Sequence, residues 1–322
     1  MKAAVLHEFG KIPKYEEFPD PVPTESEVLV QMKAAALNWA TKMSTGSPQF
    51  GVFHQLPSVI GIDGVGVLED GQRVYCGFSR PPYGTMGQLT VVPKAWGIPY
   101  PQGIDDLTAA ALPNAALSSW LSLAYKAQLK RGETVLILGA TGVSGKVAVQ
   151  VAKYLEAGHM VAAGRNESVL RSLMDLGADS TISLGLPDSE LIDAFTSEAS
   201  KHMFDVVLDY IWGHPAEVFI SSLLRRNVRI SGGARIRFVS IGSIAGPAAS
   251  IPSAVLRGSG LEIYGSGLGT ISREALTETF PKLWQAAARG KIRIDVEPVP
   301  LADVQEVWNR PESNGRRFVF VI

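Results

Sequence analysis

The chain has 322 residues, 46% hydrophobic and 19% charged, and its 30 basic and 31 acidic side chains leave a net charge of −1. That near-neutral balance argues against nucleic acid as the main partner, and the apolar share is enough for two cores, so the length reads as two domains. One cysteine, Cys76, excludes an internal disulfide framework and a cysteine-based zinc cluster.

The opening MKAAVL reads as a strand, without the basic, apolar and cleavage segments of a leader. No apolar run approaches the length of about 18 residues that a membrane span needs, so a cytoplasmic protein is expected. Across the first hundred residues, short apolar runs (Val28–Met32, Val65–Leu68, Arg73–Cys76, Gln88–Val92) alternate with prolines and glycines (Pro19, Pro21, Pro23, Gly46, Gly51, Gly61, Gly64, Gly66, Gly71). Many short strands with turn signals between them predict a compact, barrel-like β domain. The acidic run Glu16, Glu17, Asp20, Glu25 and Glu27 reads as a solvated loop. Trp39, Phe50, Phe53 and Trp120 read more readily as core than as an aromatic pocket. From Asp105 the pattern turns helical, over Leu107–Leu112 and Leu117–Leu129.

The next stretch names a cofactor class. Val135–Leu138 is a β-branched and apolar run that leads into Gly139, Gly142 and Gly145. An amphipathic helical pattern and a second apolar strand, Met160–Ala163, follow. This is a βαβ unit with glycines in its first turn, where a dinucleotide pyrophosphate sits on a helix N-terminus. Gly139 allows the sharp turn, Gly142 lets backbone amides approach phosphate oxygens, and Gly145 lets helix and strand pack closely. Thr141, Val143 and Ser144 belong to the same loop and are expected at the pyrophosphate. The spacing G-x-x-G-x-x-G departs from the usual G-x-G-x-x-G, but strand, helix and strand stand in the required order. After the second strand an NAD site usually carries an acidic residue for the ribose. Here Gly164, Arg165 and Asn166 stand instead, and an arginine fork suits a 2′-phosphate, which favours NADPH.

Beyond this unit, strands are predicted at 181–183, 205–209, 236–242 and 261–265, and helices at 143–156, 167–176, 188–200 and 215–225. Alternating strands and helices predict a doubly wound parallel sheet. Ile241, Gly242, Ser266, Gly267 and Leu268 follow two of these strands and are expected to line the cofactor cleft with their backbone. The cluster Arg225, Arg226, Arg229, Arg235 and Arg237 reads as a solvated edge or loop. A helix over 273–289 and strand-like runs at 292–299 and 318–321 return the tail to the first domain. The reaction site is then expected in the cleft between the domains.

The ordered motifs MKAAVL, KAAALN, SVIGIDGVGVLEDGQRV, GTMGQLTVV, AAALPNAALSSW, LILGATGVSG, FDVVLDY, FVSIGS and GRRFVFV cover nearly the whole chain. Together they resemble the medium-chain dehydrogenase/reductase superfamily, in its quinone oxidoreductase-like, zinc-independent branch. The resemblance implies a GroES-like catalytic domain over 1–115 and 270–322, and a Rossmann domain over 116–269 that binds NADPH. Where zinc members place ligands, this chain has Asn38, Ile62 (in Gly61-Ile62-Asp63) and Asn114. Two amides and an isoleucine cannot replace thiolate and imidazole. The histidines His7, His54, His159, His202 and His214 show no ligand spacing, so an enzyme without metal is expected.

Without a Lewis acid, hydride delivery needs an already electrophilic carbon, which enones and quinones supply. The candidate catalytic groups are Asn38 and Asn114, which either donate hydrogen bonds to a carbonyl or to the nicotinamide amide or satisfy backbone groups in a turn, and Tyr83. Tyr83 and Tyr210 are candidate proton donors, Tyr83 reading more as a packing or substrate-shaping residue and Tyr210 as a residue at the adenosine side. Water can also supply the proton. Ser118 matches a family Thr/Ser beside the nicotinamide and also reads as a hydroxyl at a helix N-terminus. Asn314 matches a cofactor-contacting tail position or a plain turn. Thr41 stands where the family usually has Asp. The expected reaction is NADPH-dependent reduction of a quinone or of the C=C bond of an α,β-unsaturated carbonyl. The alternatives are a zinc-free reductase dedicated to one biosynthetic intermediate and a non-catalytic NADPH-binding sensor. An exposed edge strand, Leu261–Tyr264, together with the family habit, predicts a homodimer.

Overall fold

In the computed structural model, residues 1–48, 55–225, 235–312 and 315–322 are described. They divide into two compact units, one of 1–114 with 293–322 and one of 115–292. The expected aromatic residues Phe50 and Phe53, together with His54, Arg226, Arg229 and Asn314, lie outside the described residues.

The first unit is β-rich, as the short apolar runs predict. Its strands are β1 (Lys2–Leu6), β2 (Lys14–Glu17), β3 (Glu27–Leu37), β4 (Ser58–Val59), β5 (Asp63–Val67), β6 (Arg73–Cys76), β7 (Leu89–Pro93) and β8 (Gly97–Pro99), joined by β15 (Val296–Pro300) and β16 (Arg317–Val321) from the tail. Among the described residues they form one sheet in the order β2-β1-β4 and another in the order β15-β16-β3-β5-β6-β8, with β7 also on β3. The long β3 is the hub, pairing antiparallel with β5, β7 and β16. Ala35, Leu37, Ile60, Met86, Phe318 and Phe320 close a core between these strands. The helix α1 (Trp39–Gly46) leaves directly from the end of β3.

The next helix, α2 (Asp106–Leu121), runs unbroken through Pro113, where the sequence suggests two helical pieces. A π-turn over Ser122–Lys126 continues it. Nearly every residue from Ala109 to Leu123 is buried, and burial of a continuous apolar surface holds the helix across the one hydrogen bond that proline removes.

The second unit is the doubly wound sheet. Its strands are β9 (Thr134–Leu138), β10 (His159–Gly164), β11 (Ser180–Ser183), β12 (Val206–Asp209), β13 (Ile236–Ser240) and β14 (Leu261–Gly265). All pair in parallel in the order β11-β10-β9-β12-β13-β14, which leaves β14 at an edge. Helices α3 (Val143–Tyr154), α4 (Glu167–Leu176), α5 (Asp188–Lys201), α6 (Gly213–Ser222) and α7 (Ser253–Gly258) connect them, and α8 (Arg273–Ala288) follows. Phe195, Phe204, Phe219 and Phe238 form the aromatic centre of one face, with Phe219 5.3 Å from Phe195, 5.8 Å from Phe204 and 6.0 Å from Phe238. The tail pattern places α8 with the first domain. Instead it lies in the second unit, where Tyr125 donates to Glu278 at 3.0 Å and the Lys126 ammonium donates to the Thr270 carbonyl at 2.7 Å.

Arg237 is not the solvated charge that the basic cluster suggests. It is 5% exposed, pairs with Glu133 at 2.7 Å and donates to the Ala127 carbonyl at 2.7 Å, so it ties β13 to the end of the π-turn. Arg235, by contrast, sits exposed beside Glu262 and Tyr264 of the edge strand. No helix of the described residues is long and apolar enough to cross a membrane.

Candidate cofactor and substrate site

Strand order locates the crevice in the second unit. The chain runs outward from β9 through β10 to β11, then returns to β12 on the other side of β9 and winds the opposite way. Ligands of such sheets bind beyond the carboxyl ends of the strands, at the point where the order reverses. The residues that follow β9, β10, β12, β13 and β14 are Gly139, Arg165, Tyr210, Ile241 and Ser266.

The glycine loop has the geometry of a phosphate cradle. Gly139 has φ +88°, a left-handed turn that a side chain disfavours. A Cβ on Gly145 would lie 2.3 Å from the Gly139 carbonyl oxygen and 2.5 Å from Ala140 Cα, so helix and strand touch through it. Gly142 differs: its absent Cβ would meet only the Gly139 carbonyl oxygen, at 3.6 Å. It is the N-cap of α3, and no side chain caps that helix. The first amides of α3, at Val143, Ser144 and Gly145, are therefore presented across an open surface with the helix dipole behind them. This fits a pyrophosphate.

At the end of β10, the Thr141 side chain covers Gly164, whose Cβ would lie 2.4 Å from Thr141 Cγ2. Arg165 is exposed and has no ion pair among the described residues, leaving its guanidinium open to an anion. Asn166 is the N-cap of α4, its side-chain oxygen accepting from Val169 N at 3.2 Å and Ser168 Oγ at 2.7 Å.

Asp209 ends β12 and Tyr210 follows it, at the strand where the winding reverses. The Asp209 carboxylate is fully buried; Oδ1 accepts from the amides of Ile211 (2.9 Å) and Trp212 (3.0 Å), while Oδ2 has no hydrogen-bond partner among the described residues. Burial pushes its carboxyl up to about 6, against the two amide hydrogen bonds that lower it. The Asp209 carbonyl accepts from Ile241 N (2.8 Å) and Gly242 N (3.1 Å), so the amides of those two expected cofactor residues are engaged within the sheet ends. Tyr210 OH lies 3.3 Å from Ser118 Oγ, and Ser122 Oγ lies 2.9 Å from Ser266 Oγ. Ser118 stands in the last turn of α2 rather than at a helix N-terminus. Gly267 N bonds Thr270 Oγ1 at 3.2 Å, and Leu268 opens a short 3-10 turn there.

In the first unit the candidate groups separate. Asn38, only 2% exposed, caps α1: its oxygen accepts from Thr41 N (2.8 Å) and Thr41 Oγ1 (3.1 Å), and its amide donates to Asp63 Oδ2 at 2.5 Å. The Tyr75 hydroxyl donates to the other oxygen of Asp63. Burial raises the Asp63 carboxyl to about 6, opposed by Tyr75, Arg317 and Asn38. Buried Arg317 pairs with Glu312 at 3.0 Å and donates to the Leu37 carbonyl at 3.1 Å. Thr41, where the family usually has Asp, spends both its amide and its hydroxyl on the Asn38 oxygen.

Asn114 lies inside α2, half-buried, with no side-chain hydrogen bond among the described residues. It caps no turn, and Ser118 follows one turn later on the same helix face. Tyr83 packs edge-on to Phe18 at 5.9 Å, with the Arg80 guanidinium 5.7 Å from its ring centre. Trp120 is buried against Tyr154, whereas Trp39 is 51% exposed. Tyr75, Arg317, Ser122 and Asp209 are absent from the residues expected from sequence. An Asp closing the apolar run VVLD is the available signal for the last, because strand ends in this sheet class face the ligand. No group of three or more His, Cys, Asp or Glu among the described residues is placed to hold a metal ion.

No protein-family profile matches the chain. It is 28% identical to the probable NADPH-dependent quinone reductase tdiC of Emericella nidulans, over 96% of each chain. It is also 28% identical to an NADPH-dependent alkenal/one oxidoreductase of Arabidopsis thaliana, over 56% of this chain and 52% of that one. The quinone oxidoreductase of Thermus thermophilus, solved also in complex with NADPH, superposes with a TM-score of 0.81 at 26% identity, over the whole of both chains. With the doubly wound sheet, the glycine cradle and the mixed β unit, these likenesses support the motif resemblance to the medium-chain dehydrogenase/reductase superfamily, in its quinone oxidoreductase-like branch.

Proposed function

We propose that this chain is an NADPH-dependent reductase of quinones or of the C=C bond of α,β-unsaturated carbonyls. The observation that carries the reading is the uncapped N-terminus of α3 above the open Gly142, with Arg165, which has no ion pair among the described residues, at the end of the neighbouring strand. Helix amides and dipole hold the pyrophosphate, and the Arg165 fork takes the 2′-phosphate. NADPH supplies the hydride when bound.

The side chains at the family's metal positions favour a metal-free reaction, since Asn38, Ile62 and Asn114 offer neither thiolate nor imidazole. A substrate that is electrophilic by conjugation then fits better than an alcohol or simple ketone. Asn114 keeps its amide available, so it is the donor for the carbonyl oxygen on which charge develops. Asn38 is engaged by Thr41 and Asp63 and holds α1 in place instead. A homodimer through the free edge of β14 is part of the same reading; light scattering that gives only monomer mass removes it.

The test is NADPH and NADH oxidation against quinones, enones, aldehydes and simple ketones, with and without chelator. Chelator-insensitive turnover of quinones or enones, faster with NADPH, is expected. Turnover of ketones or alcohols that a chelator abolishes refutes the reading.

A further inference from the structure

We propose that the Tyr210 hydroxyl, held by Ser118, is a binding group for the nicotinamide-riboside half of the dinucleotide. The inference rests on the NADPH reading above and assigns a residue to it.

Three observations converge on Tyr210. The first is position. It is the first residue after β12, where the winding of the sheet reverses. Its Cβ lies 3.3 Å from where a Gly139 side chain would begin, and its carbonyl oxygen 2.4 Å from where a Gly242 side chain would begin. The residue thus stands between the glycine loop and the turn after β13.

The second is proton direction. Ser118 Oγ donates to the Ala115 carbonyl at 2.8 Å and Ser119 Oγ to the Ala116 carbonyl at 3.0 Å, so both serine protons are engaged within α2. Tyr210 therefore donates to Ser118 Oγ, and the lone pairs of its phenol oxygen are left as acceptors. At 3.3 Å this hydrogen bond is longer than the range of about 2.5–3.0 Å usual between two hydroxyls. Ser119 is a second side-chain hydrogen-bond neighbour of the phenol, and because its proton too is spent within α2, the phenol oxygen keeps acceptor capacity for a ligand donor. Burial pushes the phenol up to about 12, so it stays neutral and keeps its proton.

The third is company. Ser122 lies one turn beyond Ser118, and its Oγ is 2.6 Å from the Ser118 carbonyl and 2.9 Å from Ser266 Oγ. Ser122 Oγ is the donor on both sides, sharing its proton between the Ser118 carbonyl and Ser266 Oγ. Tyr210, Ser118, Ser122 and Ser266 thus make a row of polar hydroxyls against the α2 face that carries Asn114. The carboxamide N–H groups and ribose hydroxyls of nicotinamide riboside are the donors that an acceptor phenol would take, whereas the adenosine half is served by Arg165.

The test separates the two halves of the ligand. NADPH and the fragment 2′,5′-ADP, which lacks nicotinamide riboside, are titrated into the wild-type chain and into Tyr210→Phe, Ser118→Ala and the double variant. Bound-NADPH fluorescence and calorimetry give the readout. Tyr210→Phe should weaken NADPH about tenfold, leave 2′,5′-ADP unchanged and keep the melting temperature, because the ring still fills its space. The double variant should lose no more than Tyr210→Phe alone. Unchanged NADPH affinity, or equal weakening of NADPH and fragment, overturns the proposal. A wild-type chain that binds neither overturns the NADPH reading itself.

Discussion

Two alanine substitutions in the glycine loop should separate folding from cofactor binding, although they lie three residues apart. In Gly145→Ala the new methyl would start 2.3 Å from the Gly139 carbonyl oxygen and 2.5 and 2.8 Å from Ala140 Cα and C, all backbone atoms. Overpacking a site of this kind costs about 1–3 kcal/mol. Alanine recovers up to about 1 kcal/mol of helix propensity, but only by opening the strand-to-helix turn can the backbone admit the methyl. The net loss should be about 2 kcal/mol. For a unit of 115–292 that is a fall in melting temperature of roughly 4–8 °C. In Gly142→Ala the methyl meets one atom at 3.6 Å, and the backbone, at φ −79° and ψ 169°, accepts alanine. Its stability should stay within about 1 kcal/mol of wild type, with a small N-cap loss offset by a stiffer unfolded chain. The same methyl stands over the helix amides, so NADPH affinity should drop at least tenfold. Thermal melts and NADPH titration on both variants give the two readouts. A Gly142→Ala protein that binds NADPH normally, or a Gly145→Ala protein as stable as wild type, refutes the assignment of these roles.

Arg165→Ala removes one charge-assisted contact, of the order of 1.5–3 kcal/mol. NADPH affinity should fall roughly 10- to 100-fold with NADH unchanged, and an unaltered preference between the two would contradict the site. Asn38→Ala and Asn114→Ala should behave oppositely. The first loses a helix cap and the donor to buried Asp63, costing about 2 kcal/mol by melting, whereas the second keeps its melting temperature and loses turnover. Asp209 carries a pH signature. Its folded pKa near 6 lies above the value of about 3.9 expected unfolded, so its carboxyl favours folding below about pH 4, and this contribution is lost as pH rises through 6. The cost at pH 8 is about 3 kcal/mol, and the drop in melting temperature between pH 5 and 8 should shrink in Asp209→Asn. An equal drop in both proteins would show that the buried carboxyl is not the cause.

The second unit is legible in the sequence because its information is local. A β-branched run, a glycine turn and a 3.6-residue period follow one another along the chain, and β9 and β14 begin and end where the residue pattern changes. Long-range pairing is not legible. Asp63 and Tyr75 meet because β5 pairs with β6, in a register that sets Val65 opposite Tyr75, and Arg317 reaches the same network from the far end of the chain. The proline in α2 misleads for a similar reason: burial of the whole helix outweighs one missing hydrogen bond, and burial is a tertiary fact. Asn38 shows the converse. As an Asn directly before a helical stretch it carries an ordinary N-cap signal, and its side chain performs that role. Tyr210 and Ser118, 92 residues apart, are joined only by the folded sheet.

The central claim is that hydride goes from NADPH to a conjugated carbon without a Lewis acid. NADPH carrying deuterium at C4, incubated with an accepted enone in the presence of chelator, tests it most directly. The account predicts a saturated ketone with deuterium on the former β-carbon. Deuterium on the carbinol carbon of an allylic alcohol, or a reaction that stops when metal is removed, would contradict it.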